Sequence, residues 1–433
     1  MITFEVGGAR VPGFSARRRT AASTGGGAGR RREEIELFGE RISRARFLAR
    51  TAALGVVAAA APAFVPGRIE ANAAASTRPA SPRGLRYRGI TYEVADGGTR
   101  ATGWQVARMR NDMRVIRDEL HASSVSVFGD GVQRMAATAS EAAERGLHVW
   151  LQPRLADVPR REILDHLAEV GKHAEEMRRQ GAQVHLSVGA EFFLFVPGIV
   201  PGDDPVERIQ NITGGKVDLR RVKQRLGRFI ARAAKVGRSV FQGRLTYGAA
   251  QDDKVDWRLF DIVSVNYYSS FRRRSDYVRE LKRYRRWGKP VAITEFGTCA
   301  YKGAPRRGGM AWDVVDYQKR PPQIIGTLVR SEETQARYII RLLDIFESMG
   351  LYAAMVYNFV SPDDRHDPSP RYDIDLASYG VVKAIWKTRD KPTSNWHWEP
   401  KLAFHALAEH NALAAAGNPD TPPGASPRLT RRR

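Results

Sequence analysis

A chain of 433 residues with 42% hydrophobic and 27% charged content can bury a substantial core, and fits a globular protein with disordered ends. Its formal net charge of +23, carried mainly by arginine, would favour acidic glycans, anionic envelope polymers or nucleic acid as partners; the plain alternative is an arginine-rich composition. The single cysteine, Cys299, excludes an intrachain disulfide framework and any cysteine-based zinc site.

Residues 1–33 are rich in Gly, Arg and Ser without periodicity and read as a disordered or mis-started N-terminus. Residues 34–75 read as an export signal. The basic run Arg41-Ile-Ser-Arg-Ala-Arg-Phe-Leu-Ala-Arg50 precedes a short apolar stretch, Ala52 to Val65, and a small-x-small site at Ala71-Asn-Ala73. The segment is similar to a twin-arginine signal, with Ala45 in place of one paired arginine; it is too short and too Ala-rich for a membrane span, and no stable membrane insertion of the protein is expected after its removal. An uncleaved N-terminal anchor is the alternative. The tail, 417–433, is Pro-rich, ends in three arginines and reads as disordered.

Between these ends, 76–416 alternates strand-like and helix-like patterns. Strands are expected at Tyr87–Tyr92, Ser124–Phe128, His148–Gln152, Val184–Val188, Arg244–Tyr247, Ile262–Tyr267, Val291–Thr294 and Ala353–Asn358. Amphipathic patterns at 111–120, 132–145, 160–179, 219–236, 277–287 and 333–349 predict intervening helices. Eight strands over roughly 300 residues is the count for an α/β fold of one kind, a single (β/α)8 TIM barrel. Long loops follow strands 4, 7 and 8, at 192–217, 297–330 and 360–400. All three belong to the C-terminal face, where barrel enzymes build their sites.

Two apolar runs end in a carboxylate: Val184-His-Leu-Ser-Val-Gly-Ala-Glu191 and Pro290-Val-Ala-Ile-Thr-Glu295. An ionised group at a buried strand end loses hydration unless a site needs it. In one parallel barrel both acids point into the same mouth, which is the equipment of glycoside hydrolysis. Carboxyls roughly 5 Å apart leave no room for a water, so configuration would be retained. The competing expectation is that one or both are structural ion pairs with arginine.

By these residues the chain from about Leu85 to Ala416 resembles the clan-A (β/α)8 glycoside hydrolases. The resemblance implies Glu191 after the fourth strand as acid/base and Glu295 after the seventh as nucleophile. Val265-Asn-Tyr-Tyr268 is similar to the stretch where that clan places a tyrosine that bonds the nucleophile, and Tyr267 is the expected residue. Ser378-Tyr-Gly-Val381 and the run from Trp398 to Leu407 resemble the close of such barrels. Two departures stand out. Ala190 replaces the asparagine that usually precedes the acid/base, and Val125-Ser126-Val127 lacks the arginine that steadies the nucleophile. The Gly89-Ile-Thr-Tyr-Glu93 and Val188-Gly-Ala-Glu191 motifs also resemble bacterial proteins labelled "abortive infection".

Glu93, Asp130, Gln152, Arg154, Asn266, Tyr357 and Asn358 are expected to face the mouth, binding sugar hydroxyls or satisfying one another. Trp312, Trp396 and Trp398 would stack on sugar rings or pack their loops. Cys299 has no adjacent histidine to activate it. The nine histidines show no ligand spacing, so neither metal nor cofactor is expected. The arginine-rich segment 272–287 reads as the solvated face of an outer helix, and no specific nucleic-acid partner is expected. The partner class is carbohydrate, with nothing to mark an oligomeric state. Three functions stay open: a retaining hydrolase of a β-linked glycan, a barrel that binds carbohydrate without cleaving it, and a phage-defence protein using the same barrel.

Overall fold

The eight apolar runs form one closed parallel sheet: β1 (Tyr87–Val94), β2 (Ser124–Gly129), β3 (His148–Pro153), β4 (Val184–Ala190), β5 (Leu245–Ala250), β6 (Val263–Asn266), β7 (Val291–Phe296) and β8 (Ala353–Val356). Each strand pairs with the next in sequence, and β8 returns to β1 with Tyr87 opposite Ala353. The computed structural model describes residues 84–416 apart from 252, 389, 390, 392 and 393. The segments 1–33, 34–75 and 417–433, with their expected disorder and export signal, lie outside the described residues.

Every residue of β2, β3, β4, β5 and β7 is buried, because helices cover the outer face of a parallel sheet while side chains fill the inside. The outer ring is α1 (Val106–Asp118), α2 (Val132–Glu144), α3 (Arg160–Arg179), α4 (Leu219–Val240), α5 (Arg274–Lys282), α6 (Glu332–Ser348) and α7 (Leu402–Ala416). Helix α3 shows why these segments are helical. Ile163, Leu167, Val170, Ala174 and Met177 recur on one buried stripe, with Glu162 in the first turn and Arg178 and Arg179 in the last. Helix α4 is started by Asp218, whose carboxylate accepts from the Arg220 and Arg221 N–H groups. The β5–β6 connection departs from the repeat: among its described residues the only helical piece is the single turn Trp257–Leu259.

At the N-terminal end the barrel is plugged by Tyr87, Trp150, Ile262, Ala292, Ala353 and Met355. Gly89 must be glycine there, since a Cβ would lie 2.3 Å from the Met355 sulfur and 2.6 Å from the Ser124 carbonyl oxygen. At the opposite end the loops after β7 and β8 build their own apolar cluster, including Cys299, Tyr301, Trp312, Ile374, Leu376 and Tyr379. A charged knot ties these loops together. Arg330 donates to Asp373 (2.9 Å) and Asp375 (2.8 Å), and the buried Lys401 ammonium donates to Asp375 at 2.9 Å.

Candidate active site

Irregular strand ends aim the two glutamates. The β4–β5 register shifts between Ser187 and Ala190, and the Glu191 N–H is caught by the Gly248 carbonyl at 2.9 Å. Glu191 sits in the left-handed region (φ 43°, ψ 46°), which a residue with a side chain adopts only when its surroundings impose it. Gly248 lacks the Cβ that would come within 2.8 Å of the Ala190 Cβ and 3.1 Å of Gln152 Oε1. A second register shift, between Val265 and Asn266, sets Asn266 opposite Glu295. Such bulges at a barrel rim re-aim side chains.

The result is a buried polar cluster at the C-terminal end of the barrel. Glu191 and Glu295 are 0% and 1% exposed. Arg154 donates from Nη2 to Glu295 Oε1 at 2.7 Å, and the Tyr268 hydroxyl donates to Glu295 Oε2 at 3.2 Å. Gln152 also hydrogen-bonds Glu295. Among the described residues the Glu191 carboxyl has one hydrogen-bond partner: Asn266 donates from Nδ2 to Oε1 at 3.2 Å, and the Thr294 hydroxyl fixes that amide by donating to Asn266 Oδ1 at 2.9 Å. Glu191 Oε2 is buried without a partner.

Burial raises both acids, and their mutual repulsion raises Glu191 further. The Arg154 charge and three hydrogen bonds oppose the rise at Glu295, so Glu295 is the first of the pair to ionise and Glu191 keeps its proton. Burial and the neighbouring Glu295 charge push the Tyr268 phenol well above its ordinary value, which keeps it a donor.

The remaining expected residues are placed as follows. Tyr267 is a correction: its hydroxyl donates to Glu280 at 2.7 Å and its ring packs near Tyr277 and Phe346. Successive residues at a strand end face opposite sides, so Tyr268 turns inward. Asn266, Gln152 and Arg154 reach the acids themselves. Arg154, one residue past β3 and 4.4 Å over the Phe128 ring, is the guanidinium that reaches Glu295. Glu93 lies close enough to Arg154 for that charge to oppose the strong upward push of burial, and its Oε1 is buried without a partner. Asp130 is held by an ion pair with Arg134, which also binds Asp96. Tyr357 is buried against Phe128 and Tyr379. Asn358 donates to the Val360 carbonyl and the Ser361 hydroxyl, leaving its buried Oδ1 without a partner.

Trp312 is buried in the loop cluster and presents no face to a sugar, so its expected stacking role is replaced by loop packing. Trp398 donates to Asp112 at 2.9 Å, and Trp396 to the Ala101 carbonyl at 2.8 Å. Burial pushes the Cys299 thiol up, which leaves it a packing residue.

Among solved structures the chain is similar to the GH113 β-mannanase of Alicyclobacillus acidocaldarius. Identity is 16%, coverage is 77% of this chain and 99% of that one, and the TM-score is 0.47. The β-glycosidase BGL167 is 12% identical over 79% of this chain and 99% of its own, with a TM-score of 0.49. The Bacteroides uniformis β-glucuronidase 2 is 15% identical over 75% of this chain and 35% of its own, with a TM-score of 0.47. No family model and no curated protein matches the sequence. The barrel assignment itself rests on the strand pairing described above.

Proposed function

We propose that the protein is a retaining glycoside hydrolase acting on a β-linked glycan. The carrying observation is the unequal pair: one buried glutamate held by a guanidinium and a phenol, beside another with a raised pKa and an unpartnered oxygen. In the first step Glu295 Oε2 or Oε1 attacks the anomeric carbon as the glycosidic bond breaks, and Glu191 gives its proton to the leaving oxygen. In the second, the Glu191 carboxylate takes a proton from water, whose oxygen displaces Glu295 and restores the starting state. Arg154, Tyr268 and Gln152 favour the ionised form of the nucleophile against the upward push of burial; Asn266 orients the acid. Since both carboxyls are shut off from solvent, sugar entry requires the covering loops to part.

The same burial favours a second reading, a carbohydrate-binding barrel whose Arg154–Glu295 pair is structural. Ala190 fits it, because the usual contact to the sugar 2-hydroxyl is missing. Hydrolysis of a β-glycan panel by wild type, Glu191→Gln and Glu295→Gln separates the two. Turnover by wild type and its loss in both variants supports the enzyme; binding by all three without turnover supports the scaffold. We also propose that the basic and apolar run from Arg41 to Ala73 directs export, on the strength of its composition.

A further inference from the structure

Helix α4 departs from the rest of the outer ring. Other outer helices balance their arginines with acids one turn away: Arg145 with Glu141, Arg161 with Asp165, Arg178 with Glu175, Arg279 with Asp276. Helix α4 carries no acid along its whole length. The segment 272–286 is also rich in cations, but Asp276 and Glu280 interrupt it, whereas α4 has no acid of its own.

Its exposed cations are also ordered. Arg221, Arg225, Arg228, Arg232 and Lys235 follow a 4-3-4-3 spacing, which places them in one row about 21 Å long. The opposite face (Val222, Leu226, Phe229, Ile230, Ala233) is buried against the barrel, so the row must face out. Like charges one turn apart repel and destabilise a helix, so the row is tolerated against helix stability. Among the described residues only Arg221 of the row has an acidic partner, the exposed Asp218 at its own N-cap, and Arg225 touches the Gly198 carbonyl oxygen at 3.2 Å. Arg160, at the start of α3, adds to the field, and its guanidinium is depressed by burial and then by Arg225, Arg232 and Arg228.

We propose that this row is a docking surface for a linear acidic polysaccharide bearing carboxylate or sulfate groups. A straight row of cations matches a regularly charged chain laid along it. The other exposed positions of the helix, Leu219, Arg220, Lys223, Gln224, Ala231 and Ser239, add no aromatic ring to stack a base and a single large apolar side chain, too little to enter a membrane.

The test uses the full-length chain, with heparin (sulfate) and polygalacturonate (carboxylate) oligosaccharides and a duplex DNA as probes. One variant changes Arg221, Arg225, Arg228, Arg232 and Lys235 to Gln. A control of identical net charge changes Arg272, Arg273, Arg279, Lys282 and Arg286 to Gln. The expected result is at least tenfold weaker binding of one or both acidic glycans by the first variant, with a shallower salt dependence, and a change within twofold for the control. Equal losses in both variants, no loss in the first, or tighter binding of DNA than of either glycan would overturn the proposal. Far-UV circular dichroism matching wild type establishes that both variants are folded.

Discussion

Glu191 makes its one hydrogen bond through Oε1 and leaves Oε2 for the leaving group, so Glu191→Gln removes the proton donor while keeping the shape. Turnover of an unactivated glycan should fall about 10²–10⁴-fold, and the alkaline limb of the kcat/KM profile should vanish. The two adjacent tyrosines give a sharper contrast. Tyr268→Phe removes a donor to Glu295, so its carboxyl rises and activity is lost from a higher pH on acidification. Tyr267→Phe removes the bonding of its hydroxyl to Glu280 and Ser269, neither of which reaches the two acids; it should cost about 1 kcal/mol in thermal unfolding and leave both limbs in place. Equal shifts of the acid limb in both variants would contradict the assignment. Choosing between Tyr267 and Tyr268 was beyond the sequence, since the facing depends on a register shift in the β6–β7 pairing. Gln152 and Arg154 could be placed at the mouth by alternation along β3, but their bonding to Glu295 across the barrel is set by packing.

At the scale of elements, the strands could be read because each is a short run rich in Val, Ile, Leu and aromatic residues and bounded by turn residues. Their ends could not: β1, β4, β5 and β7 run two or more residues past the expected limits, as inter-strand bonds rather than hydropathy end them. The buried floor under β1, β3 and β4 has its own consequence. His148 stacks on Tyr87 at 3.9 Å and meets His185 at 4.2 Å, and His185 Nε2 lies 2.9 Å from the Tyr352 hydroxyl. Burial, with the neighbouring His185, Arg86 and Arg244, pushes His148 down to about 2; burial outweighs the Val184 carbonyl contact to bring His185 down to about 4. Both folded values lie below the unfolded one near 6.5, so the unfolded chain takes up protons first. Their contribution to stability is full above about pH 6.5 and declines as pH falls, through about 4 for His185 and about 2 for His148. Urea midpoints between pH 7.5 and 4.5 should fall, and less steeply in His185→Gln; a flat series would contradict this reading.

For the whole molecule, the barrel explains why residues more than a hundred positions apart share one field: parallel strands deliver all their C-terminal ends to one side. The export proposal belongs here too. Among the described residues no helix is long and apolar enough to cross a membrane. The N-terminus of the protein recovered from outside the cytoplasm should begin shortly after Ala73; recovery only of a chain beginning at Met1, inside the cell, would contradict export.

The central claim, that two acids from β4 and β7 ionise in sequence within one enclosed field, can be tested without knowing the substrate. Carboxyl carbon NMR of glutamate-labelled protein, titrated in wild type, Glu191→Gln and Glu295→Gln, follows each acid directly. The account predicts a Glu191 signal still protonated at neutral pH, moving to a lower titration point when Glu295 loses its charge and no longer offsets the Arg154 guanidinium. A Glu191 signal that titrates in the ordinary carboxylate range and ignores Glu295→Gln would contradict it.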